Sequence, residues 1–315
     1  MPERRRYHGE VREPEDLYEL TPAAADGPPG LPLVAGLTGF ADAGGAVQQL
    51  SDYLAGTVDP TPIAVFDADE LLDYRARRPI IEFEQDHLTS YTPARLVLSQ
   101  GRDEIGRSFL LLTGFEPDFQ WERFSRAVLG LVDRFQVAST TWVHSIPMPV
   151  PHTRPIQVTV GGTRRELIDA MSVWRPNTRV PANVLHLVEF RLAELGRDVS
   201  EFVLLIPHYL SDTELPGAAV KSLEVVSSAT GLLFPTDALR AQSRDFLARV
   251  DEQVGANEEL GQLVRTLEER HDAYMAGNPL RSPLTDDEGE VPSADELAAE
   301  LEKFLAIRRA TDDEG

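Results

Sequence analysis

Three short segments carry residues whose types and spacing could do chemistry. In STTWVHSIPMPVPHTRP (139–155), His144, His152 and Arg154 leave the end of an apolar stretch. Two histidines and an arginine there could bind an anion or phosphate, or move a proton, because histidine titrates near neutrality. The structural alternative is that the prolines fix a rigid surface loop and the histidines hydrogen-bond to its backbone. In the second segment, His208 and Tyr209 follow the apolar run FVLLIP (202–207), at the carboxyl end of a predicted central strand. Open α/β sheets place ligands at such strand ends. The third segment, GLTGFADAGG (36–45), supplies Gly39, Phe40, Asp42, Gly44 and Gly45 at a turn between an apolar run and a helix. Backbone N–H groups at the helix start could hold an anion, with Asp42 capping the helix or meeting a cation or sugar hydroxyl. The structural reading, which the spacing favours, is that Asp42 caps the helix while Gly44, Gly45 and Ala46 let it pack closely on a sheet. The lysine and hydroxyl residue of a P-loop are missing from this turn.

Other chemistries find less support. The chain has no cysteine, which removes disulfides, thiolate metal sites and cysteine nucleophiles. His144, His152, His186 and His208 show no local metal-ligand spacing such as HExxH, so no metal and no cofactor are expected. His186 falls inside an amphipathic helix and reads as a packed or partly exposed helical residue. A GxSxG nucleophile elbow is absent from the sequence. Acidic pairs such as Glu258–Glu259 and Glu268–Glu269 read as solvated helix faces.

Among 315 residues, 52 are acidic and 30 basic, giving a formal net charge of −22. A surface of that sign disfavours nucleic acid and anionic membranes as partners. The basic opening of the chain has no apolar stretch behind it, and no run approaches the roughly 18 apolar residues of a membrane span. A soluble, cytoplasmic protein is the expectation. The charge is uneven: residues 237–315 hold 20 acidic and 9 basic residues, half of the net charge in the last quarter of the chain.

The elements that must position the three segments follow from periodicity. Residues 1–30 read as a polar arm and linker. From 31 to 236 strands and helices alternate, which predicts an α/β core domain with a mostly parallel or mixed sheet covered on both faces. Within it, IIEFEQDHLTSY (80–91) alternates as one half-buried strand does. Residues 237–276 read as two antiparallel helices joined at Gly255, 277–292 as a linker and 310–315 as an acidic tail. Ser293 and Glu296 have capping-box spacing for a last helix over 293–309.

Taken together, GLTGFADAGGAVQQLSDYL, HSIPMPVPHTRP and FVLLIPHYLS resemble the proteasome assembly chaperone 2 family, in its bacterial, actinobacterial-type branch. The resemblance covers about residues 30–235. It implies a three-layer α/β/α sandwich similar to nucleoside phosphorylase-like and hydrolase-like domains, with a C-terminal helical extension, and self-association as a homotrimer. By position, Gly39, Phe40, Asp42, Ala43 and Gly44 match the family's first loop. His144, Pro147, Pro149, His152, Arg154 and Pro155 match its middle segment, and Pro207, His208 and Tyr209 its late one. In eukaryotic relatives the family's role is assembly of the proteasome α ring, in part through a C-terminal hydrophobic–tyrosine–any-residue tail, which ATDDEG does not match. The leading expectation is a non-enzymatic, chaperone-like interaction protein, possessing a protein partner in complex assembly. The alternative is an enzyme or binding protein for a phosphorylated or nucleoside-like small molecule, with its site between the three segments.

Overall fold

Strands β2 (Leu33–Thr38), β7 (Ser108–Phe115), β8 (Thr140–Met148) and β10 (Val199–Pro207) form the parallel centre of an eight-stranded mixed sheet. They come from a computed structural model that describes residues 12–25 and 27–277. Antiparallel strands β6 (Leu96–Arg102), β3 (Thr61–Phe66) and β1 (Tyr18–Leu20) extend one side, and β9 (Gln157–Gly162) closes the other. The order across the sheet is β1-β3-β6-β7-β2-β8-β10-β9. The expected helix over 293–309, the linker before it and the acidic tail lie outside the described residues, as do residues 1–11.

The central strands are apolar on both faces, as strands covered by helices on each side must be. Period-2 alternation sends Val34, Leu111 and Val143 to one core, and Leu33, Ala35, Leu110, Leu112 and Trp142 to the other. The first core is covered by α1 (Ala46–Thr57) and α6 (Pro216–Thr230), the second by α3 (Trp121–Arg134) and α5 (Val184–Glu194). Helix α3 repeats Phe124, Val128 and Leu131 at spacings of four and three, all buried, so one stripe faces the sheet. This is the three-layer arrangement the resemblance implied. Short helices α2 (Ala68–Leu71) and α4 (Arg165–Met171) fill connections.

Helices α7 (Asp237–Ala256) and α8 (Glu258–Gly277) pack as a pair outside α6. The helix break falls at Asn257 rather than at the expected Gly255. The Asn257 side chain accepts the N–H groups of Glu259 (3.0 Å) and Leu260 (3.1 Å), so it caps α8, while Gly255 is accommodated inside α7.

A second correction concerns residues 80–92. In place of one half-buried strand, Ile80–Glu84 (β4) and His87–Thr92 (β5) form a separate two-stranded hairpin. All residues of both strands are exposed, including Ile80, Ile81, Phe83, Leu88 and Tyr91. Alternation reports one apolar face; it does not report whether this chain or another molecule covers it.

Candidate functional site

Gly44 and Gly45 both have left-handed backbone, with φ of 69° and 61°, and fold the chain back on itself just before α1. That reversal brings the Asp42 carboxylate over the helix start. Its oxygens accept the N–H groups of Val47 (2.8 Å) and Gln48 (3.0 Å) and face the Ser145 hydroxyl at 3.1 Å. The donors that would hold an external anion are therefore occupied by the chain's own carboxylate. Gly44 is also pinned to the late segment, since its N–H donates to Ser211 and its carbonyl accepts from Leu215. Gly39 lies against Arg77: a Cβ there would sit 2.7 Å from the guanidinium carbon. Phe40 is half-buried.

The middle and late segments meet at Tyr209, whose hydroxyl accepts the His152 backbone N–H and lies 2.7 Å from His152 Nδ1. The Tyr209 hydroxyl and Nδ1 share one hydrogen bond, and on the other side of the ring Nε2 lies 3.0 Å from Asp251 Oδ1. Burial pushes the Tyr209 phenol up. Arg154 grips α8 with a two-pronged contact to Asp272 (2.9 and 2.6 Å) and a third bond to Glu268 (3.2 Å). His208 is buried beside Tyr209, with the rings edge to face at 5.4 Å.

The three segments thus lie together at the carboxyl ends of β2, β8 and β10. Asp42, His152 and Arg154 are engaged in holding α1, the loop and the helix pair. A groove of about 320 Å³ runs between the loop, α6 and α7, with Arg154, Lys221, Arg240 and Arg244 on its walls. Glu224 pairs with both Lys221 and Arg240 within it and Arg154 is held by Glu268 and Asp272, so three of the four cations are ion-paired.

His144 turns away from these residues, toward α5. Its Nε2 and that of His186 lie 3.0 and 3.1 Å from the same oxygen, Glu201 Oε1. Trp142 stacks on His144, with ring centroids 5.0 Å apart and an 11° tilt, and donates its indole N–H to Glu189 at 2.6 Å. His186 is fixed by a capping box: Asn183 accepts its N–H, and its Nδ1 accepts the N–H of Asn183 at 3.0 Å. A Cβ on Gly161 would come 2.5 Å from Glu201 and 3.6 Å from Glu189, so both carboxylates line one space that this glycine keeps open. Burial, reinforced by the Glu201 charge, pushes the Glu189 carboxyl up to about 7. Burial opposes the charge of Glu201 as well, but hydrogen bonds from His144 and His186 outweigh it and hold that carboxyl well below its usual range.

In the sequence, His144 and His186 stand among four histidines with no shared ligand spacing, and Trp142, Glu189 and Glu201 are not among the candidate residues. A signal existed. Trp142 and His144 are two apart and share a face, Glu201 interrupts an apolar strand, and Glu189 follows His186 by three on a helix. The pairing of Glu201 with Trp142 across β8 and β10 is what brings them together.

A mixed α/β sandwich of this kind is also the fold of a PAC2 family protein from Streptomyces avermitilis, 21% identical, with a TM-score of 0.64 and coverage of 74% of this chain and 98% of its own. The PAC2 family's sequence profile matches residues 36–254, and the chain belongs to that family. A Mycobacterium tuberculosis protein of unknown function is 40% identical, with a TM-score of 0.78, covering 85% of this chain and 95% of its own. A Corynebacterium glutamicum protein of unknown function is 34% identical, with a TM-score of 0.78 and coverage of 82% and 98%. These solved relatives place the chain with the actinobacterial members. The M. tuberculosis proteasome-assembly chaperone homologue shares the fold at 23% identity, with a TM-score of 0.67 and coverage of 74% and 100%. Among curated proteins none matches the chain. No helix among the described residues is long and apolar enough to cross a membrane.

Proposed function

We propose that this protein is a non-enzymatic, chaperone-like interaction protein that assists assembly of a proteasome or another multisubunit complex in the cytoplasm, and that it acts as a homotrimer. The observation that carries the reading is the β4–β5 hairpin. Two strands standing apart from a sheet are marginal in water, and here they expose Ile80 (69%), Phe83 (67%) and Leu88 (59%) together with Ile81 and Tyr91. Side chains of that size on an otherwise charged surface are those of a contact face. Ile81 lies opposite Tyr91 and Phe83 opposite Leu88, so the apolar groups form cross-strand pairs rather than a scatter.

Family membership, and the name carried by the M. tuberculosis assembly-chaperone homologue, supply the direction of the proposal. The engagement of Asp42, His152 and Arg154 in structural bonds favours it over small-molecule chemistry at the three segments. The test combines light scattering of the purified protein with affinity capture from its native cell and assembly assays after deletion. A trimer, co-captured subunits of a defined complex and delayed assembly are expected. A monomer at micromolar concentration together with unchanged assembly would sink the reading.

A further inference from the structure

We propose that His144, His186 and Glu201 form a binding site for a divalent transition-metal ion of the zinc class, with Glu189 as the adjacent carboxylate. One donor atom from each of the three residues falls within 4.8 Å of the others. The donors come from β8, α5 and β10, so they are fixed by the sheet and a packed helix rather than by loops. Two imidazoles and a carboxylate form a borderline N/O set suited to zinc and its first-row neighbours, and leave a coordination position open.

The two separations to the shared carboxylate oxygen fit. Ligand atoms about 2.1 Å from a shared ion lie about 3.0–3.4 Å from one another, and Glu201 Oε1 is 3.0 Å from His144 Nε2 and 3.1 Å from His186 Nε2. His144 adds a separate observation. Its side chain is 10% exposed and its Nδ1 has no hydrogen-bond partner among the described residues, so a proton is free to sit at Nδ1 while Nε2 coordinates. His152, a buried histidine used for structure, has both nitrogens satisfied. Stacking on Trp142 and an edge contact with the His186 ring hold His144 with its Nε2 turned to Glu201. Gly161 keeps space at the carboxylates, and His186, 24% exposed, gives a route in.

Coordination changes one proton position. Nδ1 of His186 accepts the Asn183 N–H, so Nε2 bears the proton when no metal is bound. A metal at Nε2 requires that proton to leave and one to be taken up at Nδ1, with the ring neutral throughout. The Asn183 cap bond is then lost. Metal loading should therefore speed amide exchange in the first turn of α5, although it stabilises the protein as a whole.

The full-length protein, stripped with chelator, is titrated with Zn(II), Co(II) and Mg(II) by calorimetry and by equilibrium dialysis with elemental analysis. One equivalent of Zn(II) or Co(II), little Mg(II), and a rise in melting temperature are expected. H144Q and E201Q should each weaken Zn(II) binding by about tenfold or more, and H152Q should not. If either variant fails to fold, the Co(II) absorption spectrum of the wild-type protein decides: bands of a low-coordinate N/O site support the proposal, and the spectrum of the hydrated ion overturns it. No uptake, or uptake unchanged in folded H144Q and E201Q, also overturns it.

Discussion

At the residue scale, two carboxylates show how the same group serves opposite needs. Asp42 is half-exposed and spends both oxygens on the start of α1, so its removal strands two backbone donors. Asp42→Ala should cost about 1–2 kcal/mol in chemical denaturation, with Asp42→Asn recovering part of it; an unchanged midpoint for the alanine variant would contradict the capping role. Asp103 is buried in the turn between β6 and β7, where it accepts the N–H groups of Ile105, Arg107 and Leu233 and pairs with the Arg107 guanidinium. Burial works against its charge, but these bonds prevail and hold the carboxyl below its ordinary value. A group whose folded pKa is depressed stabilises the fold above its unfolded pKa, and loses that contribution as pH falls through the folded pKa. Stability should thus decline below about pH 4. Asp103→Asn should be less stable at neutral pH and show a weaker decline on acidification, read from melting temperatures across pH 2–7.

At the scale of elements, the Pro-rich loop acts as a clamp. Its His152 reaches Asp251 on α7 and its Arg154 reaches Glu268 and Asp272 on α8, while Tyr274 of α8 donates to the carbonyl of Val173. Apolar packing of Val250, Val264 and Leu267 supplies the rest of the contact. Arg154→Ala should leave the α/β core intact and raise amide exchange selectively in α8, by on the order of tenfold if one bidentate pair is lost in isolation. Exchange that rises evenly through the core, or not at all in α8, would contradict the clamp. The positions of these residues were legible as a motif in the sequence. Their partners were not, because Asp251, Glu268 and Asp272 sit among many acidic residues that read as solvated helix faces.

At the scale of the molecule, the sheet, its two cores and the outer helix pair give a folded body, and the β4–β5 hairpin extends beyond it. Replacing Ile81 and Phe83 together by Asp should preserve the melting temperature of a core that these side chains do not touch; for the homotrimer proposed above, it should also shift the light-scattering mass toward the monomer. Retention of the wild-type mass would place the oligomer interface elsewhere. The hairpin was legible as strand but not as a projecting surface. Its alternation is that of any sheet face, and the missing information was what lies opposite.

The sequence by itself determined the alternation of strands and helices across the core, the two-sided burial of the central strands and the turn at Gly44–Gly45, and its three segments carried the resemblance to the family. The alternation, the burial and the turn depend on local backbone preference and on periodicity within about ten residues. The tertiary structure alone decided that Asp42 fills the helix start, that His152 and Arg154 bind the outer helices, and that His144 faces Glu201 and His186. Each depends on strand register and on which helix covers which face. Residues 42 and 145, 144 and 201, and 154 and 272 become neighbours only when the sheet has been assembled.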